Sequence, residues 1–129
     1  MLLLASAAFG TPTALAEDLA HQLADNPETM SAYVRQYYKE TPILADIAWC
    51  ESRNRQLDAD GTLFRGKVNH DDVGIMQINT NYHEDQAKEM DMDLYSLSGN
   101  LAYAQYLYDK EGTKPWASSQ ACWGKLAKK

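Results

Sequence analysis

A helical spacing of apolar residues appears first in the stretch NPETMSAYVRQYYKE, residues 26–40. The apolar residues recur every three or four positions, which is the spacing of one helix face: Met30, Val34 and Tyr37 or Tyr38. Asn26 has a side chain suited to capping a helix N-terminus, and proline is favoured at the first helical position, here Pro27. The pattern predicts a helix that begins at Pro27 and packs one face against a core.

A second helix is predicted by TPILADIAWCES, residues 41–52. It opens in the same way, with Thr41 as the expected cap before Pro42. Apolar residues four positions apart form two neighbouring stripes: Ile43 with Ile47, and Leu44 with Ala48. The spacing predicts a helix that packs on both flanks.

The middle of the chain changes character. In LDADGTLFRGKVN, the pair Asp60-Gly61 stands between two short runs, which predicts a β-hairpin within residues 53–73. In DVGIMQIN, apolar and polar residues alternate over Ile75 to Asn79. A polar helix is predicted around HEDQAKEM, followed by a loop through DMDLYSLS.

The last third predicts two more helices. In GNLAYAQYLYDKEG, Leu101, Ala104 and Tyr108 share a helix face, and Gly112 can end the helix. KPWASSQACW begins at Lys114-Pro115 and predicts a short final helix. The fold class is therefore α+β, mostly α, with one small β-hairpin.

The first residues predict a secretory signal peptide. MLLLASAAFGTPTALAED has no charged side chain before Glu17, and its short apolar run ends in the small-x-small signal Ala14-Leu15-Ala16. A membrane span needs about 20 mostly apolar residues, and the polar and helix-breaking residues 10–13 interrupt this run. An ordinary first helix is the alternative, although the segment has no polar face for water. We expect residues 1–16 to be a signal peptide and residues 17–129 to be one exported domain.

Export bears on the two cysteines, because disulfides form in oxidising compartments. Cys50 and Cys122 allow a single intramolecular pairing. In the chain-entropy description, closing so long a loop stabilises the fold by about 4 kcal/mol. The alternative is two free buried thiols, which export disfavours.

The net charge of −6 argues against nucleic acid as a partner, because phosphate binding requires a basic surface. His21, His70 and His83 are scattered without metal-ligand spacing. DADG, residues 58–61, resembles part of a calcium loop but lacks the further ligands and the Glu at the twelfth position. We therefore expect no metal and no cofactor, in a monomeric chain.

Glu51 is the principal candidate for chemistry. The stripe of Ile43 and Ile47, continued by four, reaches Glu51. Burial and the C-terminal end of a helix both disfavour a carboxylate and raise its pKa, and a carboxyl that stays protonated near neutral pH suits general acid catalysis. In the alternative, Glu51 turns to water just past the helix and pairs with Arg53 or Arg55.

The order CES…DVGIMQIN resembles the lysozyme-like superfamily, over roughly residues 43–123. ESRN, GIMQI and GNLAYAQYLYDKEG resemble the soluble lytic transglycosylases. IAWCES with the late cysteine of WASSQACW resembles the resuscitation-promoting factors, whose matching cysteines pair. DVGIMQIN is also similar to C-type lysozymes, in which an aspartate stands two places before the glycine.

This resemblance implies a lysozyme-like fold and cleavage of the β-1,4 bond between N-acetylmuramic acid and N-acetylglucosamine in peptidoglycan. Glu51 matches the general acid, and Ser52 matches an orienting hydroxyl. The remaining expected substrate-binding residues lie on the cleft wall or bring an amide or aromatic ring to the sugar: Met76, Gln77, Ile78, Asn79, Tyr103 and Trp116. Trp116 has the alternative of packing the disulfide, and Tyr103 has the alternative of lying in the core or at its rim.

Asp72 decides between two reactions. It matches the second carboxylate of C-type lysozymes, which at about 5 Å from the acid would act as nucleophile in a retaining hydrolysis. Lytic transglycosylases use the single glutamate and form a 1,6-anhydro ring. Asp71 and Asp72 can equally be turn formers. The GNL helix favours a transglycosylase, whereas the AYNAG-like stretch of many transglycosylases is replaced by KPWASSQACW. The rival functions are a non-catalytic peptidoglycan-binding module and a structural exported domain.

Overall fold

The computed structural model describes residues 27–128, which form five α-helices, one 3-10 helix and a two-stranded sheet. The elements follow in this order: α1 (Pro27–Tyr37), α2 (Pro42–Ser52), β1 (Asp72–Val73), β2 (Ile78–Asn79), α3 (Thr80–Glu89), α4 (Leu97–Glu111), the 3-10 helix (Lys114–Ser119) and α5 (Gln120–Ala127). The predicted α+β, mostly α class is confirmed. The predicted signal peptide, residues 1–16, and the predicted cap Asn26 lie outside the described residues.

The predicted hairpin lies elsewhere in the chain. The sheet is the antiparallel pair β1 and β2, with Asp72 opposite Asn79 and Val73 opposite Ile78. At the Asp60-Gly61 turn the chain forms one isolated bridge, Leu57 to Leu63. Residues 59–62 between them are exposed. Farther along the chain, Arg65 forms an isolated bridge with Val73 of β1.

The apolar stripes of the helices meet in one core. Helix α2 contributes Leu44, Ile47 and Ala48, all fully buried, while Ile43 is partly buried. Of the two tyrosines that suited the inner face of α1, the structure selects Tyr38. Its side chain is buried and its hydroxyl donates to Leu101 O on α4 at 2.6 Å.

The predicted capping role of Thr41 is wrong. Its backbone φ of −138° and ψ of 64° do not direct the hydroxyl to the first turn of α2, and its side chain forms no capping hydrogen bond. The hydroxyl instead donates to Gln105 Oε1 on α4 at 2.8 Å. The predicted end of α4 is confirmed, since Gly112 follows Glu111 with φ of 65°.

The predicted disulfide is confirmed. Cys50 and Cys122 are bonded across 72 positions of sequence, joining the last turn of α2 to α5. Beside it, the indole N–H of Trp123 donates to Trp116 O at 3.0 Å, so the 3-10 helix and α5 are held together. Within residues 27–128, every helix is too short or too polar to cross a membrane.

Asn100 is a buried polar anchor between α4 and the sheet loop. Its Oδ1 accepts from Met76 N at 2.9 Å, and its Nδ2 donates to Val73 O at 3.0 Å and to Leu94 O at 2.8 Å. Since each buried group left without a partner costs about 1–3 kcal/mol, we expect Asn100→Ala to lower the free energy of unfolding by at least about 2 kcal/mol in urea denaturation.

The exposed Asn81 is the matched control for this substitution. Its Nδ2 donates to Asp71 Oδ2 at 2.6 Å, at the surface. Asn81→Ala should change the free energy of unfolding by less than about 0.5 kcal/mol, as is usual at the surface. Equal effects of the two substitutions would show that the buried network does not hold the loop.

Candidate active site

Glu51 lies in the last turn of α2 with its side chain partly buried. Its Oε2 accepts a hydrogen bond from Ser119 Oγ at 2.6 Å. The two arginines expected as alternative partners are engaged elsewhere: the Arg53 guanidinium lies 4.7 Å from the ring centre of Trp49, and that of Arg55 lies 4.2 Å from Phe64. Among the described residues, the one ion pair joins Arg35 and Asp46.

The pKa of Glu51 is raised above its ordinary value. Burial is the largest cause, because loss of water disfavours the charged form. The hydrogen bond from Ser119 acts in the opposite direction, since it stabilises the carboxylate, and the negative charge of Asp72 raises the pKa again. A raised pKa is the direction that general acid catalysis requires of a carboxyl.

Asp72 lies near enough to Glu51 for its charge to act on that pKa. It is a strand residue of β1, and its Oδ1 accepts from Asn79 Nδ2 at 3.0 Å. The turn before it is formed by Asn69, whose side-chain oxygen accepts from Asp71 N at 2.9 Å and whose carbonyl accepts from Asp72 N at 3.1 Å. The backbone N–H of Asp72 thus closes the turn, while its side chain is held by its cross-strand partner Asn79.

Five of the predicted substrate-binding side chains are buried, with at most 2% of their surface exposed: Ser52, Met76, Ile78, Tyr103 and Trp116. The Ser52 hydroxyl lies 3.1 Å from Ala48 O and 2.8 Å from Ile75 O. The Trp116 indole N–H donates to Met76 O at 2.9 Å. A ligand on the surface does not reach these side chains, so they hold the walls of the site from within.

Gln77 lies in the loop between the two strands and Asn79 lies on β2, and both are partly exposed. Gln77 has a positive φ of 52°, and its Nε2 donates to Gly74 O at 2.9 Å. Asn79 caps α3 by accepting from Tyr82 N at 3.3 Å, and it also holds Asp72. Together with Glu51 and Asp72, these two residues are the accessible polar groups of the predicted set.

The loop between the strands depends on glycine. Gly74 has a φ of 75°, and a Cβ there would lie 2.5 Å from Asn100 Nδ2 and 2.7 Å from Gln56 Oε1. Both side chains bind the loop backbone, since Gln56 Oε1 accepts from Ile75 N at 2.9 Å. The close approach and the positive φ explain why a glycine stands at position 74.

Three residues that hold the site were missed by sequence reasoning: Gln56, Asn100 and Ser119. Gln56 and Asn100 bind backbone groups 19 and 24 positions away, and Ser119 binds Glu51 across 68 positions. A hydrogen bond over such a distance leaves no periodic pattern in the sequence. The proximity of Ser119 to Cys122 is the one local signal that points to it, given the disulfide next to Glu51.

The described part of the chain contains no cluster of three or more His, Cys, Asp or Glu side chains able to hold a metal ion. His70 is exposed, and the Nδ1 of His83 lies 2.9 Å from the Tyr103 hydroxyl. His21 lies outside the described residues.

Comparison of the chain with protein-family models, with curated proteins and with solved structures gave no match.

Proposed function

We propose that this protein is a peptidoglycan lytic transglycosylase with a lysozyme-like fold. The observation that carries the proposal is Glu51 itself, a partly buried carboxyl at a helix end with a raised pKa. It is held at 2.6 Å by Ser119. Support also comes from the loop Gly74 to Gln77, because Ser52, the neighbour of Glu51, donates to Ile75 O of this loop at 2.8 Å.

In the proposed reaction, Glu51 protonates the glycosidic oxygen as the bond from the muramic C1 to that oxygen breaks. The substrate's own N-acetyl group helps to stabilise the oxocarbenium-like centre. Glu51, now ionised, then accepts the proton of the muramic 6-hydroxyl, whose oxygen bonds to C1 and closes a 1,6-anhydro ring. The raised pKa suits the first step, and the hydrogen bond from Ser119 stabilises the carboxylate needed for the second.

A lysozyme-type hydrolysis is the second candidate, because the charge of Asp72 acts on Glu51. In that reaction Asp72 would attack C1 and form a covalent intermediate, which water then hydrolyses. The product would carry a reducing end. Glu51 thus serves both candidate reactions, Asp72 serves the hydrolysis, and the product distinguishes them.

The decisive experiment is mass spectrometry of the muropeptides released from purified peptidoglycan, with Glu51→Gln as control. Anhydro-muramic ends, one water lighter than reducing ends, are expected. Reducing ends would instead identify a lysozyme.

A binding module or structural domain would release no product from the folded wild-type protein. Co-sedimentation with peptidoglycan separates these two, because only the binding module is retained on the polymer.

We further propose that the protein is exported, acts as a monomer and has glycan strands as its partners. The disulfide is compatible with export.

Asp72→Asn tests the role of the second carboxylate. If Glu51 acts alone, the variant should keep turnover within about tenfold of wild type, since Asn can still accept from Asn79, whereas loss of a catalytic group costs about 10²–10⁴-fold. Removing the negative charge should lower the pKa of Glu51, so the alkaline limb of the pH–rate profile should move to lower pH.

Asp71→Asn is the control for Asp72→Asn, because the neighbouring Asp71 binds Asn81 and the carboxylate that acts on the pKa of Glu51 is Asp72. It should leave the profile unchanged. A loss of turnover above about 100-fold confined to Asp72→Asn, with unchanged binding, would favour the hydrolase.

A further inference from the structure

We propose that Ser119 positions the carboxyl of Glu51. In doing so it fixes which of the two carboxyl oxygens exchanges the proton with substrate. This inference rests on the proposed function and concerns the same site. Ser119 ends the 3-10 helix, at the boundary with α5. Its hydroxyl donates to Glu51 Oε2 at 2.6 Å, and hydrogen bonds to a carboxylate of this length are among the strong ones.

The hydroxyl of Ser119 has one proton and two possible acceptors. Glu51 Oε2 is at 2.6 Å, and Trp116 O is at 3.2 Å. The bond to the charged carboxylate is 0.6 Å shorter than the bond to the neutral carbonyl, so Glu51 takes the proton of Ser119. A proton placed on Oε2 would compete with this donor. The acid therefore carries its proton on Oε1, and the same oxygen accepts the proton in the second step.

Ser119 is held from three directions. Trp116, three residues earlier, is anchored to Met76 O through its indole N–H. Trp123, on α5, binds the carbonyl of Trp116. The disulfide joins Cys50, the neighbour of Glu51, to Cys122, three residues after Ser119. Glu51 and Ser119 are thus each within three residues of the disulfide, which holds their backbones close together. This keeps the carboxyl of Glu51 in a single orientation, as catalytic groups require.

The charges around Glu51 agree with this role. From β1, Asp72 acts on it with a negative charge, and from the 3-10 helix the neutral Ser119 donates a hydrogen bond. Arg53 and Arg55 follow Glu51 in the chain and lie over Trp49 and Phe64. Ser119 thus favours the charged form of Glu51, whereas burial and the charge of Asp72 favour its neutral form.

The test compares Ser119→Ala with Ser119→Thr, which keeps the hydroxyl, and with Ser118→Ala at the exposed neighbouring position. Carbon-13 NMR titration of the Glu51 carboxyl is the readout that needs no turnover. Ser119→Ala should raise the pKa of Glu51 and move the alkaline limb of the pH–rate profile to higher pH. Its kcat should fall by about 10- to 100-fold, as loss of a hydrogen bond to a charged group implies, with little change in KM.

Ser119→Thr should restore most of the kcat and the titration, and Ser118→Ala should resemble wild type in both. Circular dichroism and thermal melting confirm folding before the comparison. An Ala variant that titrates and turns over like wild type would overturn the inference, as would equal losses in the Ala and Thr variants. Absence of activity in the wild-type protein would refute the proposed function alone, because the titration would still report whether Ser119 holds Glu51.

Discussion

Glu51→Gln should lower turnover on peptidoglycan by about 10²–10⁴-fold, the usual contribution of general acid–base catalysis. The amide has nearly the shape of the carboxyl, and its oxygen can still accept from Ser119. It cannot donate an acidic proton to the glycosidic oxygen, and it cannot act as base afterwards. Release of muropeptides should therefore fall while co-sedimentation with peptidoglycan is unchanged.

The same substitution should leave the free energy of unfolding at neutral pH unchanged or increased. The pKa of Glu51 is raised in the folded protein, chiefly by burial, so the folded state binds more protons between the unfolded and folded pKa values. Wild-type stability therefore falls as pH rises through that window. The amide does not ionise and loses no stability there.

Urea denaturation below and above this window measures the effect on stability. Glu89→Gln, at an exposed position on α3, is the matched control for removing a carboxylate. A Glu51→Gln variant that is active, or one that loses binding together with turnover, would contradict the assignment of Glu51 as the acid.

The second large effect is expected from the double variant Cys50→Ser, Cys122→Ser. The disulfide closes a loop across 72 positions, and removal of such a native disulfide typically costs about 2–5 kcal/mol. The free energy of unfolding in guanidinium chloride should fall by this amount. Turnover, measured well below the melting temperature, should fall too, because the link that holds Ser119 beside Glu51 is lost.

Wild-type protein treated with a thiol reductant should reproduce the double variant in both measurements, while the reductant should leave the variant itself unchanged. Equal unfolding midpoints of variant and untreated wild type would show that the disulfide does not stabilise the fold. Normal turnover in a destabilised variant would show that the hydrogen bonds of Trp116 and Trp123 suffice to hold Ser119.

The helices were predictable because their signals are local. Pro27 and Pro42 start α1 and α2 as expected, and Gly112 follows the end of α4. The choice between Tyr37 and Tyr38 was not local, since it depends on Leu101 of another helix. The predicted position of the sheet was wrong for the same reason. The turn at Asp60-Gly61 is present, but the two-residue strand pairing forms between β1 and β2, which the tertiary structure brings together.

By itself, the sequence determined the helical class, the position of Glu51 at the end of a buried helix and the single possible pairing of Cys50 with Cys122. These follow from periodicity and from counting, which need no knowledge of distant contacts. Only the tertiary structure decided that Ser119 donates to Glu51, that Asp72 lies close enough to act on it, and that Trp116 is buried. Such contacts join residues far apart in the chain, so their energies depend on packing and leave no pattern at any one place in the sequence.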